Sequence, residues 1–196
     1  SRPGGNITGV TSANPATTGK RLELLKEVIP GLSRVALLWN SRNPVSIPEV
    51  KETEDGARAL GLRIQSIGVA DPSEYQSAFS AMKREGAQGL VIISDATFYG
   101  RRKELGELAQ SHSIPAIAWA GELATEGVLL GYGPDGLAQA RRSAHFVDKI
   151  LKGAKPGEIP MEQPLKYELR VNLKTARALR LTIPQAVIMR ADEVIQ

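Results

Sequence analysis

Short apolar runs recur along this chain and alternate with segments of helical periodicity, which leaves few ways for it to fold. The apolar runs are Val35–Trp39, Leu90–Ile93 and Pro115–Trp119. Apolar residues three or four positions apart predict helices between them, at about 47–60, 73–85 and 99–111. Because strands and helices alternate with short connections, we expect an α/β fold with a mainly parallel sheet and helices on both of its faces.

Further elements are predicted within and around this array. Residues 62–67 alternate between apolar and polar side chains, which indicates a half-buried or edge strand. A helical pattern at about 16–29 precedes the array, and a strand near 128–135 leads into a helix at about 137–152. The segment 155–164 contains three prolines and is predicted to be an extended crossing. The apolar stripe of the 137–152 helix consists of Ala140, Ala144, Val147, Ile150 and Leu151.

The composition excludes several classes of function. The chain has 42% hydrophobic and 23% charged residues, which is ordinary for a globular protein. Cysteine is absent, so disulfides, thiolate metal sites and cysteine nucleophiles are excluded. The net charge of +4 comes from basic residues scattered among acidic ones on predicted helix faces, and aromatic residues are 5% of the chain. Nucleic-acid binding is therefore not expected.

The motifs of common enzymes and cofactor sites are incomplete in this sequence. Gly4–Gly9 has the glycine spacing of a phosphate loop but lacks the Lys-Ser/Thr pair that must follow it. Ser94 ends a predicted strand without the flanking glycines of a nucleophile elbow. His112 and His145 fall within or at the end of predicted helices and are too far apart in sequence to suggest a metal site. We therefore expect a protein that is not an enzyme and has no cofactor or metal.

Polar and aromatic side chains cluster where the predicted strands end. In open α/β sheets, ligands bind beyond the carboxyl ends of the strands, so these residues are candidates for a binding site. An aspartate there could pair with a ligand amine, and an asparagine or serine could hold a carboxylate. The polar residues are Asn40, Ser94, Asp95, Glu122 and Asp135. The aromatic residues that could form apolar walls are Trp39, Phe98, Tyr99, Trp119 and Tyr132.

A second interpretation of the same positions is purely structural. Asn40, Asp95 and Asp135 are residue types that favour turns and helix N-caps at strand-to-helix junctions. Trp39 and Trp119 would fit a hydrophobic core equally well. The residues alone leave both interpretations open, and they indicate an α/β domain with the chemistry to bind a small polar ligand.

Several longer motifs resemble those of one known family. They are Arg2–Gly9, Lys20–Lys26, Val35–Asn40, Ser94-Asp95 with Phe98, Tyr132–Asp135, Ile150–Pro156, Asn172–Ala176 and Arg190–Ile195. In these motifs, and over essentially all 196 residues, the chain resembles the ABC-transporter substrate-binding proteins that include the TrpX-like tryptophan- and tyrosine-binding proteins.

The resemblance implies the fold of a type I periplasmic binding protein, in which two Rossmann-like lobes trap a ligand between them. Residues 1–126 would form the second, carboxy-terminal lobe. Residues 127–160 would return to an amino-terminal lobe, most of which this sequence lacks. Residues 161–196 would cross back and complete the second lobe.

The function that the resemblance implies is the extracytoplasmic solute-binding component of an ABC importer. Its expected partners are a small amino-acid-like solute, with aromatic amino acids among the candidates, and a membrane permease. The expected location is the periplasm or another extracytoplasmic space, the signal segment being absent from this sequence. The alternative is a ligand-sensing domain of a cytoplasmic transcription regulator, which has the same lobe architecture.

Asp95 is the first candidate for a contact with the solute, through a ligand amine. Asn40, Ser94 and Glu122 are the other polar candidates, and Trp119, Tyr99 and Tyr132 are the aromatic ones. The resemblance also implies that the 137–152 helix lacks its usual partner. Its apolar stripe is therefore expected to pack elsewhere in the chain or to drive self-association.

Overall fold

The computed structural model describes residues 3–12 and 15–196. The strands are β1 (Arg34–Asn40), β2 (Arg63–Val69), β3 (Gly89–Ile92), β4 (Ala116–Ala118), β5 (Leu130–Pro134), β6 (Tyr167–Asn172) and β7 (Glu193–Ile195). The helices are α1 (Thr18–Val28), α2 (Ser46–Ala59), α3 (Tyr75–Arg84), α4 (Ala96–Gly100), α5 (Arg102–Ser111), α6 (Gly121–Thr125), α7 (Gly136–Leu151), α8 (Leu173–Ala178) and α9 (Gln185–Ile188). Short 3₁₀ turns lie at Pro15–Thr17, Pro72–Glu74 and Pro156–Glu158.

The strands form one sheet in the order β2-β1-β3-β4-β5-β6-β7. The first five strands of that order are parallel, and β6 and β7 are parallel to each other. Between β5 and β6 the direction reverses, since the Asn172 N–H donates to the Leu129 carbonyl and the Asp135 N–H donates to the Lys166 carbonyl. The expected α/β fold with a mainly parallel sheet is confirmed, and the carboxyl ends of β1, β3, β4 and β5 share one edge.

Helices cover both faces of the sheet. Leu37 and Val91 enter a core cluster with residues of α1, α2, α8 and α9. Leu38 and Ile92, one position further along their strands, enter a second cluster with residues of α3, α5 and α6. Because side chains alternate across a strand, β1 and β3 must be apolar on both faces. Their continuous apolar sequences follow from that requirement.

One predicted helix is divided in the structure. The segment expected to be a single helix over 99–111 is two, α4 and α5, which meet at Arg101. The reason is local: Asp95 caps a short helix that starts at Ala96, three residues before the apolar periodicity would place it.

The chain consists of two compact units with discontinuous sequence. The crossing unit comprises residues 1–13 and 134–167, and the sheet unit comprises residues 14–133 and 168–196. The strand predicted near residue 128 is β5, which is hydrogen-bonded to β4 and belongs to the sheet unit through Gly133. The division of residues 1–126, 127–160 and 161–196 between two lobes stays a prediction.

The crossing unit is built around α7. The Asp135 carboxylate caps this helix by accepting a hydrogen bond of 2.9 Å from the Ala138 N–H. Arg142, on the second turn, makes two hydrogen bonds of 2.6 Å with the Glu162 carboxylate. Glu162 in turn exchanges backbone hydrogen bonds with Gly9 and Thr11. Two parallel hydrogen bonds hold the guanidinium in the plane of the carboxylate. They therefore fix α7 against the segment that contains Glu162.

The apolar stripe of α7 is exposed. Phe146 is buried, whereas Val147 is 54% exposed and Leu151 is 82% exposed. The remaining residues of the stripe, Ala140, Ala144 and Ile150, are exposed as well. The expectation that this stripe packs elsewhere in the chain is therefore wrong for the residues that the structure describes.

Candidate functional site

A shallow depression lies at the shared carboxyl edge of the strands. Its volume is about 300 Å³. Four of the predicted site residues, Ser94, Asp95, Tyr99 and Trp119, line it together with Asn43 and Ala96. They meet because β3 and β4 are parallel neighbours, so that the residues following each strand emerge at the same edge.

Asp95 is the most highly coordinated side chain of the depression. Its Oδ1 accepts hydrogen bonds from the backbone N–H groups of Thr97 and Phe98, at 2.8 and 3.4 Å. Its Oδ2 accepts from the amides of Asn40 and Asn43, at 3.1 and 2.8 Å. Asp95 is therefore an N-cap, as the structural interpretation predicted. It also lines the depression, and its contact with a ligand stays a prediction.

These donors keep the Asp95 carboxyl ionised. Burial by itself raises the pKa of Asp95, but the hydrogen bonds from Asn43 and Asn40 and from the Thr97 N–H outweigh it, and the pKa lies below its ordinary value. A negative charge is thus present at the base of the depression at neutral pH.

Two asparagines, one at the end of β1 and one on the turn that follows, hold this carboxylate in place. The side-chain oxygen of Asn40 accepts from the Arg42 N–H at 2.9 Å, and that of Asn43 accepts from the Val45 N–H at 3.1 Å. Each amide group is thereby oriented with its nitrogen toward Asp95. Sequence reasoning included Asn40 but not Asn43. The signal for Asn43 was its place in the same turn, three residues after Asn40.

A buried ion pair lies next to the depression. Arg21 of α1 and Glu49 of α2 are 0% and 2% exposed, and their Nη1 and Oε1 atoms are 2.5 Å apart. Arg21 also donates to Thr17 Oγ1 at 2.6 Å and to the Tyr132 carbonyl at 3.2 Å. Burial lowers the pKa of Arg21, and the charge of Glu49 opposes that effect. The pair joins α1 and α2 to the carboxyl end of β5.

Glu49 connects this pair to the depression through Ser94. Its Oε2 accepts a short hydrogen bond from the Ser94 hydroxyl and a longer one, 3.3 Å, from the Ser94 N–H. Sequence reasoning missed both Arg21 and Glu49. The available signal was that Arg21 lies one turn before Leu25 and Glu49 one turn before Thr53, on the faces that their helices bury.

The two aromatic residues of the depression differ in burial. Trp119 is 9% exposed and packs into the second core cluster. Tyr99 is 40% exposed, and the guanidinium of Arg102 lies 5.0 Å from the centre of its ring. The Trp119 backbone is held close to β5, where a Cβ at Gly133 would lie only 1.7 Å from the Trp119 carbonyl oxygen. Only glycine at position 133 permits this approach.

Three predicted site residues, Asn40, Tyr132 and Glu122, do not line the depression, although Asn40 bonds a residue that does, Asp95. Tyr132 packs against the first core cluster. Glu122 lies in the first turn of α6. Its charge adds to those of Glu168 and Glu193, which raise the pKa of Arg170 against the opposing effect of burial. A contact of Glu122 or Tyr132 with a ligand stays a prediction.

Within residues 3–12 and 15–196, no group of three or more His, Asp or Glu side chains is arranged to hold a metal ion. In that same range, every helix is too short or too polar to cross a bilayer. His112, one of the two histidines of the sequence, directly follows α5, and its Nδ1 lies 2.9 Å from the Leu108 carbonyl oxygen.

Comparisons with known proteins agree with the fold. The model of a family described as ABC transporter substrate binding protein matches residues 1–195. A tyrosine-binding protein of Clostridioides difficile (strain R20291) is 23% identical over 195 residues, which are 98% of this chain and 56% of that protein.

Solved structures show the same architecture. The ABC domain in complex with L-Trp from Streptococcus pneumonia superposes with a TM-score of 0.91 and 27% identity, covering 99% of this chain and 65% of that one. A periplasmic binding protein/LacI transcriptional regulator from Alkaliphilus metalliredigens has a TM-score of 0.60 at 15% identity, over 84% of this chain and 64% of that one, and shows the fold alone. The chain spans between about half and two thirds of the length of these proteins.

Proposed function

We propose that this chain, which belongs to the ABC transporter substrate-binding protein family, binds a small amino-acid-like solute for an ABC importer. The observation that carries the proposal is the ionised carboxylate of Asp95 at the carboxyl edge of the sheet, held by Asn40 and Asn43 beside Tyr99 and Trp119. A fixed carboxylate pairs with an ammonium group, and adjacent aromatic rings favour an apolar side chain. An aromatic amino acid has both features.

The proposal of an aromatic solute draws support from two relatives. One is a tyrosine-binding protein, and the other is an ABC domain in complex with L-Trp. Aspartate and the aromatic walls are chemically suited to either amino acid. Branched-chain amino acids would satisfy the same carboxylate with less contact to the rings, so aromatic solutes should bind more tightly.

We propose that the depression is one side of a cleft that a second lobe closes. A surface depression of about 300 Å³ leaves a ligand largely in water, whereas small-molecule sites normally bury most of the ligand. Closure would supply the missing contacts, and the solute would shift the protein toward the closed state by binding it more tightly than the open one. The relatives that this chain matches are long enough to contain such a lobe.

The partner in this proposal is a membrane permease, and the location is extracytoplasmic. Membership of a transporter family supports both. The alternative, a ligand-sensing domain of a cytoplasmic regulator, has the same fold, as the Alkaliphilus metalliredigens structure illustrates. The family match over nearly the whole chain favours the transport role.

The test is solute binding by the full-length protein. We expect L-tyrosine or L-tryptophan to raise its melting temperature more than leucine, valine or a sugar, in a thermal-shift screen followed by calorimetry. Asp95→Ala should then weaken binding of the best solute at least about tenfold, because it removes a charge-assisted hydrogen bond.

Asp135→Ala is the matched control for Asp95→Ala. Both substitutions remove an aspartate that caps a helix after a strand, so each should lower stability by about 0.5–2 kcal/mol. Asp135 lies in the crossing unit and outside the depression. Equal losses of affinity in the two variants, or an unchanged affinity in Asp95→Ala, would show that Asp95 does not contact the solute.

A further inference from the structure

We infer that Glu49, held by Arg21, fixes the Ser94 hydroxyl as a hydrogen-bond acceptor and so assigns the ammonium end of the solute to this part of the site. Glu49 and Arg21 are positioning residues in this inference, since they are buried and act through Ser94. The inference rests on the proposed function, because it specifies which end of an amino-acid-like solute the depression receives.

The direction of the Ser94 hydrogen bond follows from its partners. Glu49 Oε1 is 2.5 Å from the Arg21 guanidinium, so the carboxyl group is ionised and carries no hydrogen of its own. The hydrogen between Glu49 Oε2 and Ser94 Oγ must therefore come from serine. A serine hydroxyl has one hydrogen and two lone pairs, so it keeps only lone pairs for another group.

The backbone N–H of Ser94 also donates to Glu49 Oε2, at 3.3 Å. Glu49 thus takes both donors of Ser94, the hydroxyl and the amide. The sequence-based idea that Ser94 could hold a ligand carboxylate requires a donor that this arrangement directs elsewhere.

The neighbouring polar group is also an acceptor. The Asp95 carboxylate follows Ser94 in the chain, and the nitrogens of Asn40 and Asn43 are directed at it. A ligand carboxylate placed here would face a negative charge and the lone pairs of Ser94. An ammonium group carries three donors and a positive charge, so it can bond both Ser94 Oγ and Asp95.

Burial makes the arrangement rigid. Arg21 is bonded to Thr17, to Glu49 and to the Tyr132 carbonyl, and Glu49 is bonded to Arg21 and to Ser94. A carboxylate with two fixed partners and 2% exposure cannot turn away from Ser94 without leaving a buried charge unpaired. The acceptor role of Ser94 is therefore set before a solute arrives.

The main experiment compares three probes on full-length wild type and Ser94→Ala. The probes are L-tyrosine, tyramine, which lacks the carboxylate, and 3-(4-hydroxyphenyl)propionate, which lacks the amine. We expect Ser94→Ala to weaken L-tyrosine and tyramine about tenfold, since the lost hydrogen bond involves a charged donor. Its effect on the propionate should stay within about twofold, measured by calorimetry.

Glu49→Gln gives a second, opposite readout. The glutamine amide can donate to Ser94 Oγ, which frees the serine hydrogen to donate into the depression. The preference for tyramine over the propionate should then shrink at least about tenfold, a change that general destabilisation would not produce. Should this variant not fold, Ser94→Ala carries the test alone.

A ligand-free measurement separates this inference from the proposed function. In wild type, a hydroxyl proton bonded to a buried carboxylate should exchange slowly enough to give an NMR cross-peak to the Ser94 β-protons. Loss of that peak in Glu49→Gln is expected, and its absence in wild type would overturn the inference. If wild type shows the peak but binds none of the three probes, the aromatic-solute proposal fails and the assignment of Ser94 as an acceptor stands.

Equal weakening of tyramine and the propionate by Ser94→Ala would also overturn the inference. In that case L-tyrosine binding by wild type would still support the proposed function.

Discussion

The sheet unit and the crossing unit differ in how far they bury their apolar side chains. In the sheet unit, both faces of β1 and β3 are covered by helices, and Leu37 and Leu38 are 0% exposed. In the crossing unit, the apolar stripe of α7 faces outward and Leu151 is 82% exposed. In the sequence, the stripe of α7 has the same helical spacing as the apolar faces of α1 and α3, which pack on the sheet. An amphipathic pattern therefore shows that a helix has an apolar face but not that the same chain covers it.

The two units also differ in how they use an Arg–Glu pair. Arg21 and Glu49 are fully enclosed in the sheet unit, whereas Arg142 and Glu162 of the crossing unit are 39% and 32% exposed at their side chains. Geometry favours both pairs, since each contains hydrogen bonds of 2.5–2.6 Å. When one member of a pair is substituted, water can solvate the remaining charge in the crossing unit but not in the sheet unit. The two pairs should therefore respond very differently to substitution.

The largest expected difference follows from breaking these pairs. Arg21→Met should lower the free energy of unfolding by about 3–5 kcal/mol, because it leaves the Glu49 charge buried and unpaired. Arg142→Met should cost much less, because water reaches Glu162. Urea unfolding of the two variants and wild type measures both. Similar losses would mean that burial does not distinguish the pairs.

A matched pair of leucines tests the hydrophobic side of the comparison. Leu37→Ala should destabilise the protein by about 2–5 kcal/mol, because it removes buried methyl groups and leaves a cavity. In the monomer, Leu151→Ala removes the same atoms from a solvent-exposed site, so at protein concentrations low enough to keep the chain monomeric it should change stability by less than about 0.5 kcal/mol. The same urea experiment applies at those concentrations. A large effect at Leu151 in the monomer would show that its own chain covers α7.

The exposed apolar stripe of α7 predicts self-association. We propose that a second copy of the 196-residue chain covers the stripe, so the chain should sediment as a dimer at micromolar concentrations. Val147→Lys combined with Leu151→Lys should restore the monomer, since each would place a charge in an apolar contact. Lys149→Glu, a charge change on the same helix outside the stripe, is the control. A wild-type chain that is monomeric at all concentrations would refute the proposal.

The smallest expected effect is on acid stability. The pKa of Asp95 is lowered in the folded protein although its burial opposes this, and the hydrogen bonds from Asn43 and Asn40 are the cause. A carboxyl whose folded pKa lies below its unfolded value of about 3.9 stabilises the fold above that pH. That contribution is lost as the pH falls through the folded pKa. Between pH 5 and pH 2, Asp95→Asn should therefore lose less stability than wild type, as followed by urea midpoints.

Glu162 provides the comparison in the crossing unit. The hydrogen bond from Arg142 is the main reason that its pKa is lowered, so it should follow the same sign and lose its contribution in acid. Because the pair is exposed to solvent, 0.5 M salt should diminish the effect of Glu162→Gln more than that of Asp95→Asn. Equal salt dependence would mean that Asp95 is as accessible to ions as Glu162.

Much of the fold could be predicted from local patterns. The runs at Leu90–Ile93 and Pro115–Trp119 are apolar at every position, which is typical of strands buried on both faces, and they became β3 and β4. The placement of β5 was not predictable in this way. Its pairing with β4 depends on glycines at 131 and 133 that let the loop after β4 approach its backbone, and a strand pattern carries no information on such a contact.

The sequence predicted those site residues whose place in the fold follows from their position next to a strand. Ser94 and Asp95 follow a strand directly, so the rule for parallel sheets places them at the carboxyl edge. Arg21 and Glu49 are 28 residues apart on different helices, and charged residues of helices are normally exposed. Their pairing depends on how α1 and α2 pack, which no local pattern specifies. Sequence patterns thus located most of the side chains that line the depression, and among those that orient them they located only Asn40.

The buried pair has a consequence for how this sequence can change over time. A substitution at position 21 or 49 alone leaves a buried charge without its partner, so the intermediate of a two-step replacement is unstable. An apolar pair could pack in the same space, but it would release the Ser94 hydroxyl to donate. Positions 21 and 49 should therefore vary together across descendants of this chain, and lineages that lose both charges should be those in which the solute has changed.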